Sequence, residues 1–316
     1  MKTRVLTGSA LLAFMVLLFF TKSVTPYVFD AFIIYISVVG GLEMSNLLTK
    51  IGFYNSKLVI GIYPIVAYGL FKLCVYLQLS LYLIFVLQIA LLILMTGIVS
   101  LICLISKKRS DNEIKTRKIN CTVEQFSMFK GVQTLFALIY PAFIINLLLY
   151  INNIEGLKYV FQSVGENAYL VSFFLLAYVF VIPIFVDTFA MLTGSLIKGK
   201  KLCEKVSPNK TISGAIGGLV WGILASVAMF FIFNSIDKFR IMFIAINLTW
   251  WKMLLVGIIS SVLCQLGDIF ESFLKRKANV KDSGDLLPGH GGVLDRIDSH
   301  IANMLVTFIF TLIILL

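Results

Sequence analysis

Long apolar blocks separated by short polar intervals organise this chain. Nine such blocks lie near Val5–Phe20, Tyr27–Gly41, Leu58–Leu77, Ser80–Ile105, Phe126–Ile151, Ala168–Thr193, Gly214–Phe233, Ile241–Cys264 and Ile301–Leu316. A helix needs about 20 apolar residues to cross a hydrocarbon core, and the first and last blocks are short enough that their ends stay open. The pattern predicts an all-α, polytopic membrane helical bundle of about nine transmembrane helices. The opening Met-Lys-Thr-Arg and its apolar run to Phe20 have the outline of a secretory signal. No small-residue cleavage site follows Phe20 and many spans come after, so an uncleaved first helix is expected.

The polar intervals divide the chain. Glu43 and the stretch Met44–Lys50 read equally as an interfacial helix or a plain loop. Lys107–Gln125 is the longest charged interval of the first half and reads as a solvated connection. It separates an N-terminal transmembrane region, 1–125, from a C-terminal region, 126–316, expected to be catalytic and to carry cytoplasmic loops at 198–213 and 265–300. No internal repeat is evident, which removes the usual sequence support for an inverted-repeat transporter.

Composition agrees with the pattern. Of 316 residues 59% are hydrophobic and only 14% charged, far from the balance of a soluble domain. A net charge of +11 is also found in nucleic-acid binders, but here the cations follow topology. With the N-terminus in the cytoplasm, 21 of the 27 Lys and Arg fall on that side, among them Lys107, Lys108, Arg109, Lys115, Arg117, Lys118, Lys198, Lys200, Lys201 and Lys205. Orientation and attraction to anionic headgroups account for them, and no nucleic acid is expected as a partner. The five cysteines form no C-x-x-C pair and imply neither a disulfide framework nor a zinc site.

Candidate chemistry sits in the second half. Asp187 lies inside an apolar span, where a carboxylate is costly unless it faces water, a cation or a polar partner. Gly194–Leu202 superficially matches a phosphate-binding loop, but Lys201 stands where Ser or Thr would hold a metal and a membrane helix precedes it. The polar island from Ser272 to Asp298 is the densest signal. It reads S-x-x-K-R-x4-K-D and then P-G-H-G-G-x-x-D-R-x-D, filled by Ser272, Lys275, Arg276, Lys281, Asp282, Pro288, His290, Gly291, Gly292, Asp295, Arg296 and Asp298. Lys275, Arg276, Lys281 and Arg296 are charge-assisted donors suited to phosphate. Asp268 and Glu271 share a helical face at i, i+3 spacing, as do Asp295 and Asp298.

This island resembles the signature of the phosphatidate cytidylyltransferase family. A more degenerate block upstream is similar to a second family motif: Asp187, Ala190, Gly194, Lys201, Leu202, Val206, Ser207, Pro208, Lys210, Thr211, Gly214, Gly217 and Gly218 fit, whereas Met191, Ser195, Lys198, Gly199 and Ser213 depart. Where the motif has a glutamate, this chain has Ser213, so either another acid substitutes, with Glu204 and Asp187 as the available candidates, or the activity the motif implies is impaired. The resemblance implies transfer of CMP from CTP to phosphatidic acid, giving CDP-diacylglycerol and pyrophosphate, in a multi-pass protein of the cell membrane with its active site on the cytoplasmic face.

It further implies catalytic roles for Asp268, Lys281, Asp282, Asp295 and Arg296. Ser207, Lys210, Thr211, Ser272, Lys275, Arg276, His290, Gly291 and Gly292 would bind substrate, and Asp268 and Asp295, then Asp298 and Asp187, would ligate Mg²⁺, with Mn²⁺ as a substitute and a second metal left open. The partners implied are CTP, phosphatidic acid and membrane lipids, and a homodimer stays open. Two other readings remain at this point. One is a related CTP-dependent lipid enzyme, an isoprenoid ether-lipid cytidylyltransferase or a polyprenol kinase; the other is a non-catalytic anion transporter.

Overall fold

The computed structural model describes residues 2–117, 119 and 121–316, so Lys118 lies outside the described residues. The helices are α1 (Lys2–Lys22), α2 (Tyr27–Ile51), α3 (Lys57–Tyr76), α4 (Leu81–Ile105), α5 (Lys107–Thr116), α6 (Val123–Asn152), α7 (Ala168–Ile197), α8 (Ile212–Asn234), α9 (Asp237–Ala245), α10 (Trp250–Lys277) and α11 (Leu294–Leu315). Eight helices among the described residues are long and apolar enough to cross a membrane, and α1 adds a shorter apolar stretch, Thr7–Lys22. The chain is an all-α membrane bundle.

Several element boundaries differ from the sequence expectation. Helix α2 does not stop at Gly41 but continues through Glu43 to Ile51, ending in a left-handed Gly52 at φ 104°. The block Ile241–Cys264 is two elements: α9 ends at Ala245, Asn247 takes φ 49°, and α10 begins only at Trp250. The interval 265–300 is largely not a loop. Its first part, to Lys277, is the last turns of α10, and its last part, from Leu294, is the start of α11. Polar residues at these ends lower the hydropathy without breaking helical hydrogen bonding, so composition underestimates the length of the helices.

Proline leaves identifiable marks. Pro183 lies inside α7 and supplies no N–H for the carbonyl four residues earlier. Asn303 on α11 fills the gap, donating from Nδ2 to Val179 O at 3.1 Å and Tyr178 O at 3.2 Å. In a bilayer such freed carbonyls must be met inside the protein. Helix α6 bends where Tyr140 leaves helical angles before Pro141.

The bundle has two distinct polar ends. At one, Lys22 Nζ donates to Asn152 Oδ1 at 2.9 Å, Lys72 pairs with the buried Asp30 at 2.9 Å, and the Asn152 and Asn153 amides donate to Asp30 at 2.8 and 2.7 Å. At the other, β1 (Lys201–Cys203) and β2 (Ser207–Thr211) form an antiparallel hairpin between α7 and α8. There Lys130 pairs with Glu113 at 2.8 Å, Arg276 Nε donates to Val206 O at 3.3 Å, and Leu294 N donates to Glu43 at 2.7 Å. Helix α1 runs the depth of the bundle, with Thr7 Oγ1 donating to Pro288 O at 3.1 Å and Lys22 at the opposite end.

Candidate active site

Close backbone approach assembles the site. A Cβ on Gly218 of α8 would lie 2.9 Å from Val186 O and 3.0 Å from the Ala190 Cβ of α7. One on Gly267 of α10 would meet Asp298 O of α11 at 2.9 Å. Small residues let membrane helices pack this tightly, and the two crossings deliver Asp187, Asp268 and Asp298, one from each of α7, α10 and α11, to one region. Ser299 ties two of them together, its hydroxyl donating to Asp187 Oδ2 at 2.8 Å while its backbone N–H donates to Asp298 Oδ1 at 2.8 Å. Asp268 receives the Lys210 ammonium at 2.6 Å and the Ser272 hydroxyl at 3.4 Å.

A cavity of about 640 Å³ opens beside this cluster, lined among others by Asp187, Gly194, Lys198, Lys201, Lys210 and Asp268. The hairpin forms its polar wall. Thr211, expected as a substrate contact, also caps α8, its hydroxyl accepting from Gly214 N at 3.0 Å. Ser213 has a use that a glutamate could not serve, because its hydroxyl donates to the carbonyl of Lys198, a residue in the left-handed region at φ 59°. Ser207 is half-buried on β2.

Asp295, one turn before Asp298 on α11, is held differently. Its Oδ2 accepts from Ser283 N at 2.8 Å, Ser283 Oγ at 2.9 Å and Gly292 N at 2.9 Å, and its Oδ1 takes the Lys275 ammonium at 2.6 Å. Both oxygens are thus committed to the protein. Lys275, expected to reach substrate, is buried between Asp295 and Glu271, the latter 3.2 Å away. Arg276 holds the hairpin to the following segment, donating also to Val280 O at 3.3 Å. Lys281, Asp282 and Arg296 are exposed around the turn. Gly289 and Gly291 adopt φ 75° and 80°, which shapes that turn. His290 donates its backbone N–H to Leu287 O at 2.8 Å, and its ring Nδ1 is buried without a partner.

The donor set suits a hard cation. It offers carboxylates and hydroxyls, the oxygen ligands that Mg²⁺ prefers. Glu271 is fully buried, and among the described residues its ionic partner is the Lys275 ammonium, 3.2 Å from Oε1. Among the described residues no three acidic, histidine or cysteine side chains close into a ready ligand set. Asp268, Asp298 and Asp187 are the carboxylates that the helix crossings bring into one region.

Sequence reasoning gave no part in the site to Glu43, Ser283 or Ser299. Glu43 stood out only as an acid following an apolar run, and the two serines carry no signal of their own.

Residues 2–314 match the model of the cytidylyltransferase family. Three curated relatives carry the description phosphatidate cytidylyltransferase. That of Staphylococcus haemolyticus is 46% identical over 122 residues, 39% of this chain and 43% of its own. That of Rickettsia conorii is 43% identical over 125 residues, 39% and 52% of the two chains. That of Staphylococcus saprophyticus is 37% identical over 144 residues, 46% and 49%. The chain spans about half the length of the curated relatives it matches.

Proposed function

The chain belongs to the cytidylyltransferase family, and from that premise we infer that it transfers CMP from CTP to phosphatidic acid. An oxygen of the lipid phosphate attacks the α-phosphorus in line, the bond from that phosphorus to the β-phosphate bridge breaks, and pyrophosphate leaves. A phosphate monoester is already nucleophilic, so no base or covalent nucleophile is required of the protein. What the reaction demands is charge stabilisation and alignment.

The observation that carries this reading is the meeting of Asp187, Asp268 and Asp298 beside a cavity that the first two line together with Lys198, Lys201 and Lys210. The lysines would bind the triphosphate, and Lys210 would exchange its bond to Asp268 for one to phosphate. Asp268, with Asp298 and Asp187 beside it, would hold Mg²⁺, or Mn²⁺ in its place, which when bound neutralises charge on the triphosphate. Lys281 on the exposed turn and Arg296 in the first turn of α11 would meet the headgroup of a lipid in the adjoining leaflet, with the Asp282 carboxylate beside Lys281. Asp295 would orient that turn, and Ser299 would hold Asp187 and Asp298 in place. The apolar bundle fits residence in the cell membrane, with the hairpin and turn on the cytoplasmic face.

Purified protein with CTP, Mg²⁺ and phosphatidic acid should form CDP-diacylglycerol and pyrophosphate in equal amounts. Release of CDP with a phosphorylated lipid would identify a kinase instead. Retention of CTP with every lipid phosphate tried would exclude nucleotidyl transfer.

A further inference from the structure

Helix α2 carries two buried carboxylates, one toward each end, and they are satisfied in different ways. Asp30 has a cation, Lys72, together with two asparagine amides and the Tyr68 hydroxyl. Glu43, 7% exposed, has no Lys, Arg or His within ion-pair distance among the described residues. Its oxygens accept from Val293 N at 3.0 Å, Leu294 N at 2.7 Å and Ser283 Oγ at 3.2 Å. A buried carboxylate is costly without strong donors. Here the donors are the first N–H groups of α11, where the helix dipole places partial positive charge.

The turn is moulded onto this carboxylate. A Cβ on Gly292 would lie 2.5 Å from Glu43 Oε2, and one on Gly284 would lie 2.6 Å from Oε1. Successive donors of the segment are divided between two acids: Gly292 N goes to Asp295, then Val293 N and Leu294 N go to Glu43. The Ser283 hydroxyl touches both. Through Asp295 the connection reaches Lys275 and Glu271 on α10, the helix that bears Asp268. A residue of the N-terminal region therefore fixes the start of the helix that presents Arg296 and Asp298.

We propose that Glu43 is a positioning residue for nucleotidyl transfer, holding the 283–294 turn and the start of α11 in register with the carboxylates of α7 and α10. It touches no substrate. The inference rests on the activity proposed above, so its test has an arm that does not need activity. In Glu43→Gln the carboxamide turns an N–H₂ toward a backbone N–H, and one of the two main-chain bonds is lost. The full chain in detergent is compared as wild type, Glu43→Gln and Asp30→Asn by hydrogen–deuterium exchange, thermal unfolding and steady-state kinetics.

Glu43→Gln should raise exchange in peptides covering 283–294 and leave α3 and α4 unchanged. Its kcat per folded molecule should fall at least about tenfold, with the KM for phosphatidic acid moving less than about threefold, the signature of lost alignment rather than lost binding. Asp30→Asn, at the far end of the same helix, should lower the melting temperature while the folded fraction keeps its kcat. Unchanged exchange in the turn, or unchanged kcat per folded molecule in Glu43→Gln, would overturn the proposal. A wild type that consumes no CTP would instead defeat the activity reading, and the exchange arm would still decide whether Glu43 holds the turn.

Discussion

At the scale of single residues, the two aspartates that the family resemblance puts forward first as metal ligands are held in different ways. Asp268 lines the cavity and meets one cation from the hairpin, whereas Asp295 is buried under four donors. Asp268→Asn should therefore abolish turnover, by at least about a hundredfold, while thermal unfolding in detergent stays within a few degrees of wild type. Asp295→Asn should also lower turnover, but with a loss of stability of about 3 kcal/mol, because it leaves the buried Lys275 ammonium with only Glu271. Equal melting temperatures for the two variants would contradict this division. The residue types were legible in the sequence, since carboxylates and lysines at these spacings suit phosphate and a hard cation. Which carboxylate is open and which is committed was not, because that depends on donors such as Ser283 and Gly292 that reach Asp295 only when the turn folds back.

At the scale of elements, glycine separates contact from open space. Gly218 sits at the crossing of α8 with α7, whereas a Cβ on Gly97 of α4 meets nothing within 4 Å. Gly218→Leu should push α8 from α7, displace Asp187 and lower both stability and turnover. Gly97→Ala should change neither, and both are checked by unfolding and CTP turnover side by side. A Gly218→Leu protein with normal turnover would mean that Asp187 is not needed where this packing holds it. The hairpin gives a second case, since the Ser213 hydroxyl closes the loop by donating to the Lys198 carbonyl. Ser213→Ala should loosen the hairpin by about 1 kcal/mol, the ordinary worth of one such bond, seen as faster amide exchange over 198–211. Hydropathy predicted the helices but placed their ends poorly, because the last turns of α10 and the first of α11 are polar and helical at once.

At the scale of the whole molecule, the hairpin, the 278–293 turn, α5 and the lower ends of α2 and α6 share one face, and the Asp30 network occupies the other. Cys203 on the hairpin and Cys121 before α6 are part-exposed, while Cys74, Cys103 and Cys264 are buried. A membrane-impermeant thiol reagent should label Cys203 and Cys121 from the same side, the cytoplasmic side under the proposed orientation, and the other three only after unfolding. Labelling of the two from opposite sides would break the shared face. Local hydropathy and residue types close together along the chain were enough to show a helical membrane protein whose cations gather in a few polar intervals, the densest of them shortly before its last helix. That Asp187, Asp268 and Asp298 meet, that the turn commits both oxygens of Asp295, and that Glu43 holds the start of α11 from 250 residues away came from the folded chain alone. Those pairings arise from helix crossings and from buried hydrogen-bond donors that must find acceptors, and neither is written in any single stretch of the chain.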